Sequence, residues 1–206
     1  MKKLLICSII EVYNILKIKM IPIKNKKKSF EDTVQEMRDF SMKYIEKYAP
    51  SKQQLRTYLL KKYLKFGAVG IKKNEIKDLI DVVLSDLENS KYLNDKFYSN
   101  SKAKNLIQRG SSINKIRNYL MSKGINQKFV KETLDKIKDE NEDQDFFSAL
   151  KVCKKRRIGP CRVEDNRPLF YKKDIAVLAR NGFDFDTSKR VMDLSKEEYE
   201  KITRLF

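Results

Sequence analysis

One short segment recurs along this chain, and the repetition constrains the fold more than any other feature. The segment Leu55-Arg-Thr-Tyr-Leu-Leu-Lys-Lys62 returns 61 residues later as Ile116-Arg-Asn-Tyr-Leu-Met-Ser-Lys123. A third, looser copy, Ile175-Ala-Val-Leu-Ala-Arg-Asn-Gly182, lies 58 residues beyond the second when Gly124 is matched to Gly182. Self-similarity at a near-constant period indicates one supersecondary unit that is stacked several times.

Apolar residues recur at helical spacing in and around each copy. A first helix is predicted from about Phe30 to Tyr48, Pro50 ends it, and Ser51 is placed to cap a second helix. The next helix carries the clearest apolar stripe of the chain, at Ile76, Leu79, Ile80, Val83, Leu84 and Leu87. The later units repeat this order of helices, caps and glycine turns, and no segment alternates as a strand does. The sequence therefore predicts an all-α fold of three-helix units.

Linkers and turns give the predicted boundaries of these units. We place an N-terminal extension and basic linker at 1–29, three-helix repeats at 30–90, 91–140 and 141–195, and a charged C-terminal tail at 196–206. A turn at Gly67 to Gly70 interrupts the first repeat, and an acidic hinge from Asp139 to Asp145 precedes the third.

The N-terminal extension begins like a signal peptide, but the resemblance is short. Lys2-Lys3 precedes an apolar run from Leu4 to Ile10, which Glu11 ends after seven residues. Seven residues are too few to cross a bilayer, and no small-residue cleavage site follows. We expect a short appended segment, with translation starting at Met1 or at Met20, and no association with a membrane.

The charge of the chain points to an anionic partner. It has 46 Lys and Arg residues against 28 Asp and Glu, a formal net charge of +18 at pH 7. Such a charge bears on partners rather than on fold, and nucleic acid, an acidic protein surface and an anionic membrane are the candidates. Hydrophobic residues make up 41% of the chain, which argues against a disordered basic tail.

The residue types that most often carry catalysis or bind metal are scarce. There is no His, and the three cysteines Cys7, Cys153 and Cys161 have no metal-ligand spacing. The absence of His excludes a Ser-His or Cys-His nucleophile and argues against zinc chemistry, and six Gly residues form no phosphate-binding loop. Unclustered cysteines in odd number are typical of a reducing cytosol. We expect a cytoplasmic protein that is not an enzyme and has no cofactor or metal.

The most basic segment is the candidate binding site. From Lys151 to Lys173 there are nine basic and two acidic residues. Guanidinium groups can bind phosphate or carboxylate through two parallel hydrogen bonds. The predicted contacts to the anionic partner are Lys154, Lys155, Arg156, Arg157 and Arg162, with Arg117 and Arg180 as secondary contacts. The alternative is that the run is only a solvated, charged helix end.

Taken in order, several motifs resemble the RecX family of regulatory proteins. They cover most of the chain, from about Phe30 to Leu194. They are Ser51-x-x-x-Leu55-Arg56-x-x-Leu59, Leu87-x5-Leu93-Asn94-Asp95-x-Phe97, Ile116 to Gly124-Ile125, Arg156-Arg157-Ile158-Gly159-Pro160 and Asp174-x-Ala176-x-Leu178-Ala179-Arg180-x-Gly182-Phe183. The Arg-rich Ile-Gly-Pro segment is similar to the alphaproteobacterial branch. The N-terminal extension and the longer turn in the first repeat depart from the family pattern.

This resemblance implies an elongated, curved array of three tandem three-helix repeats, about nine helices in all. It also implies a protein that binds the recombinase RecA in the groove of its filament on DNA, and we expect this chain to be a monomer. Family members inhibit the recombinase, ATPase and coprotease activities of RecA, which places them in DNA repair and the SOS response, and some bind single- or double-stranded DNA directly.

A different class of function stays open at this point. Paired short helices joined by a glycine turn, as around Gly124, together with a basic charge, are also compatible with a helix-turn-helix transcriptional regulator. A threefold repetition of the helix pair speaks against that alternative, because a repressor usually carries one DNA-reading unit and a dimerisation element.

Overall fold

The computed structural model describes residues 30–66 and 72–204 and is all-α over those residues. Within these ranges it contains ten α-helices and no strand. They are α1 Phe30–Tyr48, α2 Lys52–Phe66, α3 Lys73–Asn89, α4 Asp95–Gln108, α5 Ile113–Ser122, α6 Gln127–Glu140, α7 Gln144–Arg156, α8 Arg167–Arg180, α9 Phe185–Met192 and α10 Lys196–Thr203. Two short 3-10 turns, Gly159–Cys161 and Glu164–Asn166, connect α7 to α8. The predicted all-α class is confirmed.

Two details differ from the sequence-based expectation or fall outside what the structure describes. The segment predicted as a charged tail contains α10, which begins at a capping box formed by Ser195 and Glu198 and buries Tyr199. The predicted extension and linker at 1–29 and the predicted turn at 67–70 lie outside the described residues. No helix in the described part of the chain is long and apolar enough to cross a membrane.

The core formed by the described residues is divided into three clusters, each built mainly from three consecutive helices. Helices α1–α3 bury Leu55, Leu59, Ile80 and Leu84, helices α4–α6 bury Ile116 and Leu120, and helices α7–α9 bury Leu150, Leu178 and Val191. We call these three helix groups the first, second and third modules. Leu93, which precedes α4, packs into the first cluster, and Tyr199 of α10 packs into the third. The repeat boundaries given above remain a prediction.

The same serine contact joins each module to the next. Ser51, at the start of α2, donates its hydroxyl hydrogen to the backbone carbonyl of Lys123 over 2.7 Å. Ser112, at the start of α5, donates to the backbone carbonyl of Asn181 over 2.8 Å. Each hydroxyl also accepts a hydrogen bond from a backbone N–H in the first turn of its own helix. One N-cap side chain therefore satisfies its own helix and binds the following module.

A carboxylate from the following module adds a second contact at each junction. The backbone N–H of Lys52 donates to Asp95 over 2.8 Å, and the backbone N–H of Ile113 donates to Asp145 over 2.7 Å. The first N–H groups of a helix have no partner within the helix, and a carboxylate is favoured beside them by the helix dipole. The next module thus completes the N-terminus of the middle helix in the module before it.

Two glycines make this close approach possible. Gly124 and Gly182 follow the carbonyls that accept from the serines, and their φ angles are +72° and +88°. A Cβ atom on Gly124 would lie 2.5 Å from the Cβ of Gln53, and one on Gly182 would lie 2.6 Å from the hydroxyl oxygen of Ser112. The glycine pairing seen in the sequence therefore marks the module junctions.

We predict that Gly124→Ala lowers the free energy of unfolding by about 1–3 kcal/mol, because alanine is strained at a positive φ and its Cβ collides with Gln53. Chemical denaturation followed by circular dichroism measures the change. Asn118→Ala, on the exposed face of α5, is the matched control and should change stability by less than about 0.5 kcal/mol. Equal effects of the two substitutions would contradict the role given to Gly124.

The junction carboxylates lead to a prediction about pH. Burial raises the pKa of Asp95 above its ordinary value, against the opposing effect of the hydrogen bond from Lys52. A raised pKa in the folded state means that the folded protein holds the proton more tightly. Stability is therefore lost as pH rises from the unfolded-state pKa, about 3.9, through the raised folded-state pKa.

We expect Asp95→Asn to be at least as stable as the parent at pH 7 and to lose less stability between pH 4 and pH 7. The amide oxygen still accepts from Lys52 while the half-buried charge is gone. Urea denaturation at both pH values measures this, with Asp78→Asn, at an exposed position of α3, as the control. A loss above about 1 kcal/mol at pH 7 would show that the charge itself stabilises the junction.

Candidate functional site

Four consecutive basic side chains form an exposed cluster at the C-terminal end of α7. Lys154, Lys155 and Arg156 occupy its last turn and Arg157 follows it, and all four are exposed. None of them makes an ion pair with another residue in the described part of the chain. Cations at a helix C-terminus interact favourably with the helix dipole by about 0.3–1 kcal/mol each, which is their minimal structural role. We call Lys154 to Arg157 the basic cluster.

The backbone around the basic cluster is ordered by the turn that follows. Arg157 has a φ of +54°, in the left-handed region, and the N–H of Ile158 donates to the carbonyl of Cys153 over 3.2 Å. Ile158, Gly159 and Pro160 are then buried against the third module. The cluster is therefore held at the end of a packed helix, and it does not lie on a loose loop.

The Gly159–Cys161 turn is fixed by a buried carboxylate, Asp174 of α8. Arg162 donates to Asp174 through Nε over 2.6 Å and through a terminal nitrogen over 2.9 Å, and the N–H of Gly159 donates over 2.9 Å. Burial alone raises the pKa of Asp174, but the hydrogen bonds from Arg162 and Gly159 outweigh it and hold the pKa below its ordinary value. The Arg162 guanidinium also lies 4.4 Å from the centroid of the Phe170 ring.

Arg162 therefore has a different role from the anion binding that the basic segment of the sequence predicts. Two of its donors are taken by a carboxylate that is only 2% exposed, so its charge is already balanced inside the protein. We reassign Arg162 from the anion-binding set to the positioning of the turn beside the basic cluster. Lys154 to Arg157 keep their candidate role as anion contacts.

The repeat explains why Asp174 needs such a partner. Matching Gly124 to Gly182 places Asp174 opposite Ile116, which in turn matches Leu55, and both of those side chains are fully buried. The third module thus carries a carboxylate where the others carry a core aliphatic residue. Sequence reasoning missed this pairing, although a polar residue at an apolar repeat position was a usable signal.

The two secondary candidates lie on other helices. Arg117 is exposed on α5 and Arg180 is exposed at the end of α8. Neither makes an ion pair in the described ranges, whereas Arg56, the repeat equivalent of Arg117, binds Asp81 of α3 over 2.8 Å. The basic cluster is continuous by itself, and Arg117 and Arg180 remain separate, predicted contacts.

We predict that Arg162→Met lowers the free energy of unfolding by about 3–5 kcal/mol, because it leaves the Asp174 charge buried without its cation. The double variant Arg162→Met/Asp174→Leu should recover at least half of that loss, since Leu55 and Ile116 show that an aliphatic side chain fits the position. The remaining deficit reflects the lost acceptor of the Gly159 N–H, about 1–3 kcal/mol.

Chemical denaturation of the parent and both variants at pH 7 and at pH 3 measures these free energies of unfolding. Because the folded-state pKa of Asp174 is lowered, its contribution is present above the unfolded-state pKa of about 3.9 and is lost as pH falls through the folded-state value. The double variant should therefore lose less stability on acidification than the parent. A double variant no more stable than Arg162→Met would contradict the assignment of Asp174 to a core position.

Comparison with known proteins places the chain among regulatory proteins. The regulatory protein RecX of Myxococcus xanthus is 31% identical over 162 residues, which are 74% of this chain and 82% of that protein. The RecX protein of Clostridium botulinum (strain Eklund 17B) is 29% identical, covering 79% of this chain and 69% of that protein. The RecX protein of Agrobacterium fabrum is 26% identical over 153 residues, covering 74% of this chain and 79% of that protein.

No protein-family model matches the chain, and no solved structure matches it. The family assignment rests on the relatives, because the first of them exceeds 30% identity over most of both chains. On the similarity along its modules and on the all-α fold, this chain belongs to the RecX family of regulatory proteins.

Proposed function

We propose that this protein binds RecA and its filament on DNA and inhibits the recombinase, ATPase and coprotease activities of RecA, as a cytoplasmic regulator of DNA repair and the SOS response. Membership of the RecX family supports this proposal, together with the net charge of +18. We propose that it acts as a monomer, because each module junction is completed within one chain by Ser51 and Ser112.

The basic cluster is the observation that carries the proposal. A protein filament on DNA presents phosphates and acidic side chains, and Lys154 to Arg157 offer four cations that make no ion pair with any residue in the described ranges. Two of the four are arginines, whose planar guanidinium groups can bind a phosphate or a carboxylate through paired hydrogen bonds. Binding would then be electrostatic and shape-based.

We propose that this regulation involves no catalysis by the chain itself. The carboxylates with raised pKa values that lie at module junctions, Asp95 and Asp145, already accept backbone hydrogen bonds there. The buried thiol of Cys153 has a raised pKa because of burial, which keeps it protonated and a poor nucleophile. Both kinds of titratable group therefore serve the fold.

The test is RecA ATP hydrolysis on single-stranded DNA, titrated with this protein. We expect strong inhibition well below one protein per RecA monomer, which requires action on the filament as a whole. Absence of inhibition by the folded protein would overturn the proposal. In that case a preference for one DNA sequence in a binding assay would favour the helix-turn-helix regulator instead.

We predict that Arg156→Ala/Arg157→Ala weakens inhibition and makes it less sensitive to salt. If both arginines contact phosphates of single-stranded DNA, the slope of log affinity against log salt concentration becomes shallower by about 1.4. Alanine keeps the Cβ that Arg157 already carries at its positive φ, so the backbone strain is unchanged. Fluorescence anisotropy on labelled RecA filaments measures the affinity.

Lys73→Ala/Lys77→Ala is the matched control for that variant. Both lysines are exposed on α3, so the control removes the same charge from the first module. It should reduce inhibition less and should leave most of the salt dependence intact. Identical losses in the two double variants would assign the effect to total charge and remove the basic cluster from the binding site.

A further inference from the structure

A groove on the outer face of α1 combines apolar side chains with acidic ones. It has a volume of about 530 Å³ and is open to solvent, between α1 and the connection from α3 to α4. Met42 and Ile45 are half-buried against the first core cluster, and Tyr92 beside them is 56% exposed. The remaining lining residues are all exposed and charged, namely Asp39, Lys43 and Glu46. We call this feature the α1 groove.

The surroundings of the α1 groove are acidic, although the chain as a whole is strongly basic. Helix α1 carries five acidic and three basic residues, and α3 carries five acidic and two basic residues. Tyr92 follows the end of α3 by three residues, and the last turn of α3 contains no basic residue. The negative end of the α3 dipole therefore adds to the field of the acidic side chains. The α1 groove favours an occupant that is apolar and carries positive charge.

A segment with this chemistry is attached directly to α1. Residues 1–29 contain eight lysines and one glutamate, and nine of the fifteen residues at 4–18 are Val, Ile or Leu. Lys2 and Lys3 precede that apolar segment, and Lys17 and Lys19 lie at its other end. Exposed apolar patches of this size drive association, so such a segment needs a surface to cover it.

The linker between this segment and α1 is long enough for the segment to reach the α1 groove. Asp39 and Glu46 lie about 14 and 24 Å along the helix axis from Phe30, at about 1.5 Å per residue. Residues 19–29 can span about 36 Å when extended, at about 3.3 Å per residue. A tethered segment has an effective concentration on the order of millimolar, so a shallow groove can hold it.

We propose that the α1 groove is the docking site of the chain's own N-terminal segment, residues 4–18. Its apolar side chains cover Met42, Ile45 and Tyr92, and its flanking lysines lie beside Asp39 and Glu46. The α1 groove belongs to the first module and the basic cluster to the third, so docking occupies no residue of the cluster. The inference concerns a contact within one chain and does not rest on the proposed action on RecA.

Disulfide trapping in the full chain tests this contact, because Cys7 lies within the proposed occupant. Lys43→Cys places a second thiol in the α1 groove. Lys77→Cys is the matched control, because it replaces another exposed lysine of the first module that does not line the groove. After mild oxidation with diamide, peptide mass spectrometry measures the rate at which Cys7 forms a disulfide with each position. We expect position 43 to react at least about fivefold faster than position 77.

Charge reversal distinguishes docking from chance encounters of a tethered segment. In the Lys43→Cys chain, Asp39→Lys/Glu46→Lys should slow formation of the disulfide by about threefold or more, because two attractive charges become repulsive. Asp78→Lys/Asp135→Lys gives the same net charge at two exposed positions outside the α1 groove. This control should change the rate by less than about 1.5-fold, since solvent and salt screen distant charges.

A complementary change in the segment completes the cycle. Lys17→Glu/Lys19→Glu should slow the disulfide in the chain that keeps Asp39 and Glu46. The same change should restore the rate in the chain that carries Asp39→Lys/Glu46→Lys, because opposite charges face each other again. Circular dichroism checks that each variant is folded, and a restored rate also excludes misfolding as the cause of the first loss.

Four results would overturn the proposal. Equal rates at positions 43 and 77, or equal effects of the two acidic double variants, would show that the segment does not dock in the α1 groove. A disulfide formed mainly between two chains would assign the groove to a second copy. Cosedimentation of the parent with phosphatidylglycerol vesicles that prevents the disulfide would assign the segment to a membrane surface.

Discussion

The hydroxyl of an N-cap serine, shared between its own helix and the next module, is the contact on which the described array depends. Ser51 and Ser112 each accept from the first turn of their helix and donate to a carbonyl that precedes a glycine in the following module. The N-terminus of a helix has N–H groups that need partners. Here the serine of the same helix supplies one acceptor, and a carboxylate of the following module, Asp95 or Asp145, supplies another. Each junction therefore couples a helix end to the next core, as nearest-neighbour contacts do in repeat proteins.

The third module shows how the same plan changes where the described chain has no further serine–glycine junction. Its middle helix, α8, carries Asp174 at the core position, and Arg162 and the Gly159 N–H bind that carboxylate. Arg167, at the first position of α8, donates to the carbonyls of Met192 and Leu194, and Tyr199 of α10 joins the core. In the third module, polar contacts within the module itself take the place of a junction to a following module. The contacts of Asp174 also fix the turn beside the basic cluster.

Periodicity along the sequence was enough to predict the fold class, because the helical stripes and the glycine turns are local patterns, whereas the family was indicated by the resemblance of its motifs. The stripe from Ile76 to Leu87 is buried in the first core cluster, and Gly124 and Gly182 lie at the junctions. Pairing between distant side chains was not predictable, since it depends on how helices cross. Arg162 was predicted as a contact to the anionic partner, and the structure pairs it with Asp174. The segment predicted as a charged tail contains α10, and the stacking of Tyr44 on Tyr58 left no local signal.

The cations of the chain fall into two groups, those that form ion pairs within the protein and those that do not. Arg38, Arg56, Lys52 and Arg190 are bound by Asp86, Asp81, Glu88 and Asp143. Exposed pairs of this kind contribute at most about 1 kcal/mol each to stability, but they remove those cations from competition for a partner. All cations together create a field that attracts any polyanion. Selectivity for a partner would then come from cations that make no ion pair in the described part of the chain, such as the guanidinium groups that the basic cluster carries on a fixed helix end.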